Sequence, residues 1–236
     1  MTLAMKKVSN LGRLLSVTVL ITLLGGCGSE QAALDNYSQL LSAYMESPSK
    51  QTMNNLDAGY AEVGFIGYKG VFETRDDVYE RERRWRSLKI ETQNALIENA
   101  QWETLSSLYR KGMRASYKAE DLLSLKYKGS DATLLTSAGW GAYRKGELYQ
   151  AYKVFEAAAL ADSSNAYLPR SFAFHYGCAD LYRIWGELAT TRIDFEGDAI
   201  PLSKTKLSRR ELIEARTQLR KGVAPEITES CPIKPV

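Results

Sequence analysis

Few residues in this sequence have chemical reach. His175 is the only histidine, set in Phe174-His175-Tyr176, and cysteines stand at 27, 178 and 231. A histidine acting as general base needs a nucleophile or an activated water within hydrogen-bond reach. No nucleophile elbow and no helical metal-ligand pair accompanies His175, so a packed or surface histidine is the plainer reading. Asp76-Asp77 is a carboxylate pair, but adjacent residues on a helix point apart. The cysteines have neither zinc-site nor redox-pair spacing. Glycines 59, 64, 67 and 70 alternate with Tyr60, Val63, Phe65, Ile66, Tyr68, Val71 and Phe72. A phosphate cradle ends in Gly-Lys-Ser/Thr ahead of a helix, and Lys69-Gly70-Val71 has the wrong order. Those glycines are left as a close-packing helix face, a kinked strand or a loop. No catalytic residue, metal ligand or cofactor is assigned, and the expectation is binding rather than an enzyme.

The N-terminus carries a stronger signal. Lys6, Lys7 and Arg13 precede an apolar run over Leu14–Leu24, followed by Gly25-Gly26-Cys27. A basic start, a short apolar core and small residues before a cut site make a secretory signal peptide. The run is too short for a spanning helix, which needs roughly 20 residues. Leu24-Gly25-Gly26-Cys27 resembles the lipobox of bacterial lipoproteins. The resemblance implies removal of residues 1–26, acylation of Cys27 and a short tether over 27–34. Several acyl chains on one residue anchor stably where a single chain binds marginally. Gly28 stands where an aspartate would retain an enterobacterial lipoprotein in the inner membrane, which implies the periplasmic face of the outer membrane.

The formal charge of +3 comes from the leader. Residues 1–26 hold three basic residues and no acid, so the remaining 210 carry 28 of each sign. A global basic footprint for nucleic acid is absent. That length supports one large domain or a short repeat array. With Cys27 lipidated, Cys178 and Cys231 remain, in a compartment that permits disulfides. They form either a bridge stapling the tail to the helical body, which the compartment favours, or two separate thiols with Cys178 buried.

Helical periodicity dominates the rest. Asp35 to Met45 forms a helix stopped by Ser47-Pro48-Ser49. Thr74 to Ala100 is a charged helix with interleaved acids and bases, Val78, Trp85, Leu88, Leu96 and Ile97 lining its buried side. Asn99 to Trp102 breaks it. Ser130 or Asp131 caps the next helix, Arg144-Lys145-Gly146-Glu147 makes a tight turn, and Asp162 to Asn165 closes the pair. Leu135 to Asn165 resembles a tetratricopeptide repeat, an antiparallel helix pair of about 34 residues. Ala138-Gly139, Gly146-Glu147-Leu148 and the spacing of Ala151, Phe155 and Ala158 carry the resemblance. Leu135 and Ser163 depart from its common tryptophan and proline.

One such pair cannot bury its own apolar face, so neighbours are required. The preceding pair is placed with its turn at Ala100–Trp102, 46 residues before Leu148, implying an insertion within Arg114–Lys128. After Tyr167, a long helix through Tyr182 and Trp185 is expected to close the array. Ser208 and Glu211 form a capping box, Leu207 and Leu212 a staple, and Gly222 the C-terminal cap of the best-signalled helix. The expected architecture is all-α: a helical-hairpin, tetratricopeptide-like solenoid over 35–222 with a long C-terminal capping helix region. The proline-bearing tail 223–236 is expected to be extended.

In that family one side of each first helix lines a peptide-binding groove. Carried over, that side holds Thr136, Trp140, Tyr143 and Arg144, joined by Arg170 and Phe174 from the next helix. Tryptophan, tyrosine and arginine are enriched at binding hot spots. The other reading, of equal weight, packs Trp140 as core. The resemblances imply a lipid-anchored adaptor with envelope protein partners, in pilus or secretion biogenesis, outer-membrane protein insertion or polysaccharide export. A transporter-associated solute-handling lipoprotein is the alternative, and a cell-wall-acting enzyme a more distant one.

Overall fold

A computed structural model describes residues 28–63, 74–227 and 231–234. Cys27 and the leader lie outside these residues, as do the glycines at 64, 67 and 70. Among the described residues the structure is all-helical. It divides into two compact units, with the boundary after Lys89. That boundary falls inside a helix, where no linker composition marks it.

The first unit contains α1 (Gly28–Glu46), α2 (Lys50–Glu62) and the start of α3 (Arg75–Glu98). The expected tether is instead the first turns of α1, because Leu34 has an apolar partner surface and is fully buried. Ser49 and Thr52 form a capping box that starts α2 right after Pro48. Gly59 faces α1: a Cβ there would stand 2.5 Å from Leu40 Cδ1. Trp85 of α3 completes the core, with its ring 5.1 Å from Tyr37 and 5.7 Å from Tyr60. Arg81 and Arg84 pair with Glu30 and Asp35 at 2.8 and 2.6 Å.

The second unit holds the end of α3, then α4 (Trp102–Arg110), α5 (Tyr117–Lys126), α6 (Ala132–Arg144) and α7 (Leu148–Ala161). A short 3-10 turn follows at Ser163–Asn165, then α8 (Tyr167–His175), α9 (Ala179–Trp185) and α10 (Arg209–Arg220). α6 pairs with α7 and α8 with α9, α5 packs along α6, and α4, α6 and α8 each end at a glycine of positive φ: Gly112, Gly146 and Gly177. The same two bonds recur at each turn. Gly146 N–H donates to Tyr143 O and Glu147 N–H to Ala142 O, with equivalent bonds at Met113 and Cys178. This is the Schellman arrangement, which satisfies the last carbonyls of a helix and reverses the chain.

Two expectations change here. Within the expected insertion, residues 117–126 form a helix, α5, that packs on α6, and the turn geometry of Gly146 recurs at Gly112 as well as at Ala100. Likewise the single helix expected over Tyr167–Trp185 is broken at Gly177, whose left-handed backbone no helix continues. Buried Gln93 of α3 holds the connection between α4 and α5, donating to Arg114 O at 2.9 Å and accepting from Ser116 N at 2.8 Å. Trp185 Nε1 donates to the buried Tyr152 hydroxyl at 3.0 Å, fixing α9 on α7. Beside it, Glu156 is 2 % exposed and paired with Lys153. Cys178 and Cys231 are joined by a disulfide, which pins the tail at the start of α9.

Candidate binding surface

The α6/α7 hairpin positions the expected face. Asp131 caps α6, accepting from Thr133 N and Leu134 N. Gly139 and Gly141 then clear two sides of the helix. A Cβ at 139 would lie 2.5 Å from the Phe155 ring of α7, and one at 141 would collide with the Glu120 carbonyl oxygen of α5. Trp140 and Tyr143 come together, ring to ring at 5.8 Å.

Their surface is filled by the chain itself. The segment between α9 and α10 runs back across α8 without regular structure, as a strap. Phe195 at its centre is 6 % exposed. It stacks on Trp140 at 5.2 Å and meets Tyr143, Phe155, Phe172 and His175 at 5.1 to 6.1 Å. Burying such a side chain contributes roughly 1.5–3 kcal/mol. The strap backbone is held on both sides of this ring. Arg170 donates to Thr190 O at 2.7 Å, Ile193 N to Ser171 Oγ at 2.9 Å, and Tyr143 Oη to Glu196 O at 3.2 Å. Further on, Ile200 N donates to His175 O and Ser203 N to Gly177 O. Buried Asp180 then receives Thr205 Oγ1 and the amides of Lys206 and Leu207.

Four of the six expected residues meet this strap. Trp140 and Tyr143 hold Phe195, Arg170 holds Thr190, and Phe174 lies under the Arg192 guanidinium at 3.9 Å. Arg170 also lies over the Tyr182 ring, 4.9 Å from its centroid. The other two face elsewhere. Arg144 engages α5, pairing with Glu120 and Asp121 and lying 4.7 Å from the Tyr117 ring centroid. Burial pushes the Glu120 carboxyl up against the pull of Arg144. Thr136 lines an open pocket of about 380 Å³ with Tyr109 and Asp162.

Sequence reasoning missed Phe195 and Asp180. Phe195 sits in a polar run without periodicity, and its only signal is one large aromatic among loop residues. Asp180 looks like an ordinary first-turn acid until the strap folds over it. His175 is 8 % exposed and packs on Tyr176 and Phe195. Among the described residues no group of three or more His, Cys, Asp or Glu could hold a metal ion. No described helix is long and apolar enough to cross a membrane. No protein-family model, curated protein or solved structure matches this chain.

Proposed function

We propose that this chain is a lipid-anchored adaptor of the periplasmic face of the outer membrane, which captures extended segments of envelope proteins on tetratricopeptide-like hairpins. The observation that carries the reading is the strap. The face built by α6 and α8 grips an extended stretch of polypeptide through side chains that donate to its backbone and an aromatic socket for one ring. A surface that holds its own chain this way has the chemistry to hold another. Glycine turns of one geometry at 112, 146 and 177, about one repeat length apart, support the repeat reading by their spacing. The Leu24-Gly25-Gly26-Cys27 motif supports the anchor. Confinement of adaptor and partner to one membrane raises their effective concentration without new contacts.

Photo-crosslinking in intact membranes tests the face, with the crosslinker at Leu202 on the exposed edge of the strap. Phe195→Ala should loosen the strap and increase specific partner adducts, and Trp140→Ala with Arg170→Ala should reduce them. Identical adducts from all three chains would remove the face from the reading. Intact-mass measurement of the extracted protein tests the anchor. A chain starting at Cys27 with added acyl mass is expected, and an unmodified chain would overturn it.

A further inference from the structure

A second surface, independent of the anchor and touching the strap only at its last residue, lies between α9, α10 and the stretch that follows α10. It is an open groove of about 410 Å³. Its floor is apolar, formed by Ile184, Leu207, Ala215 and Pro225, while Val223 on its wall is 51 % exposed. Its polar lining comes from Glu211, Glu214, Gln218 and Glu226, and none of the lining residues is basic. On α10, positions 211, 214, 215 and 218 share one stripe by helical spacing. The arginines of the neighbouring stripe are committed elsewhere. Arg216 donates to Arg183 O at 2.9 Å, and Arg220 pairs with Glu187. Glu211 accepts from Ser208 N in the capping box. Glu214 and Glu226 make no ion pair among the described residues. The wall opposite α10 is fixed, because the tail that continues it is tied to α9 by the Cys178–Cys231 bridge.

Apolar depth with three carboxylates at its edge, two of them outside any ion pair among the described residues, selects a ligand that is apolar in the middle and positive at its ends. The volume sits at the low end for ligand pockets, roughly 300–1,000 Å³, which is room for one or two large side chains. The open mouth lets a backbone pass. An anionic lipid surface would be repelled by the same carboxylates. We infer that this groove docks a short partner-protein segment in which one or two large apolar side chains are flanked by lysine or arginine. Complementary charge of this kind sets partner choice and on-rate, while the buried side chains supply the affinity.

Fluorescence anisotropy of a labelled Lys-Lys-Leu-Phe-Lys-Lys peptide with the purified mature protein tests this. Residues 27–236 carry equal numbers of basic and acidic residues, so a general attraction to the chain does not contribute. The basic peptide is expected to bind, and Glu-Glu-Leu-Phe-Glu-Glu is not. Glu214→Gln with Glu226→Gln changes two exposed side chains outside any hydrogen bond among the described residues. It should weaken binding about fivefold, the loss of two exposed charge contacts. Ala215→Trp, which fills the floor, should abolish binding. Equal binding of both peptides, or binding unchanged in both variants, would overturn the inference. So would binding of dodecyltrimethylammonium without binding of the peptide, since the site would then be a small-cation pocket.

Discussion

Ala100 occupies a position that the rest of the chain reserves for glycine. It has φ of 53°, whereas the equivalent turn residues at 112, 146, 177 and 222 are all glycine. Its amide donates to Ile97 O and the next amide to Leu96 O, the same pair of bonds made at Gly146. A Cβ in this left-handed region crowds the following carbonyl, at about 1–2 kcal/mol. Ala100 is exposed, so nothing else holds that methyl. Ala100→Gly should stabilise the fold by about 0.5–1 kcal/mol, after the entropy glycine adds to the unfolded chain. Urea unfolding at constant slope measures it, and a loss of stability would mean that the turn is not limited by this strain. Glu156 gives a second residue-scale expectation. Burial pushes its carboxyl above the ordinary value of 4.5, with Lys153 opposing. A raised acid favours the folded state fully below its ordinary value and loses that contribution as pH rises through the folded one. Glu156→Gln removes this loss, so its stability relative to the parent should improve steadily as pH rises from about 4 to 7. A difference that stays flat across that range would show that Lys153 compensates the burial in full.

At the scale of elements, α6 is fixed by what it lacks on two sides. An Ala at 141 would meet the backbone of α5, which moves only if the helices separate. An Ala at 139 would meet the Phe155 ring, which can tilt within its aromatic neighbours. Overpacking of this kind costs about 1–3 kcal/mol, offset by up to about 1 kcal/mol of better helix propensity. Gly141→Ala should therefore lose about 2 kcal/mol and Gly139→Ala clearly less, by the same unfolding measurement. An equal loss at both sites would make ring and backbone equally yielding. This hairpin was legible in the sequence because every local signal agreed: a capping Asp131, small residues on one helix, and Arg144-Lys145-Gly146 at the turn. Arg110-Lys111-Gly112 repeats that turn 34 residues earlier, but the helix after it packs on α6, an arrangement that local spacing does not reveal. The turn at Gly177 has no charged flank and sits in an apolar run, so periodicity alone carried the helix through it. Of the expected face, the aromatic pair at 140 and 143 was legible from its spacing. The strap over it was not, since tertiary contacts alone order residues 187–207.

Over the molecule as a whole, the longest covalent constraint is the one made late in the chain. The Cys178–Cys231 bridge spans 53 residues and encloses α9, the strap and α10. Cys231 and Ile233 are 2 % and 4 % exposed, so the tail is packed where it is tied. In the chain-entropy model, closing a loop of this length removes unfolded-state freedom worth about 4 kcal/mol. Little regular structure holds those elements otherwise: α9 is two turns long, and the strap is tied mostly by side chains rather than by a backbone ladder. Reduction should accordingly lower stability by about 4 kcal/mol, and Cys178→Ser with Cys231→Ser should match the reduced protein. Hydrogen exchange should place the lost protection between the two cysteines, with the amides of Lys206 and Leu207 on Asp180 opening early. A change under about 1 kcal/mol would show that burial of Ile233 and Phe195 holds the region without the bridge.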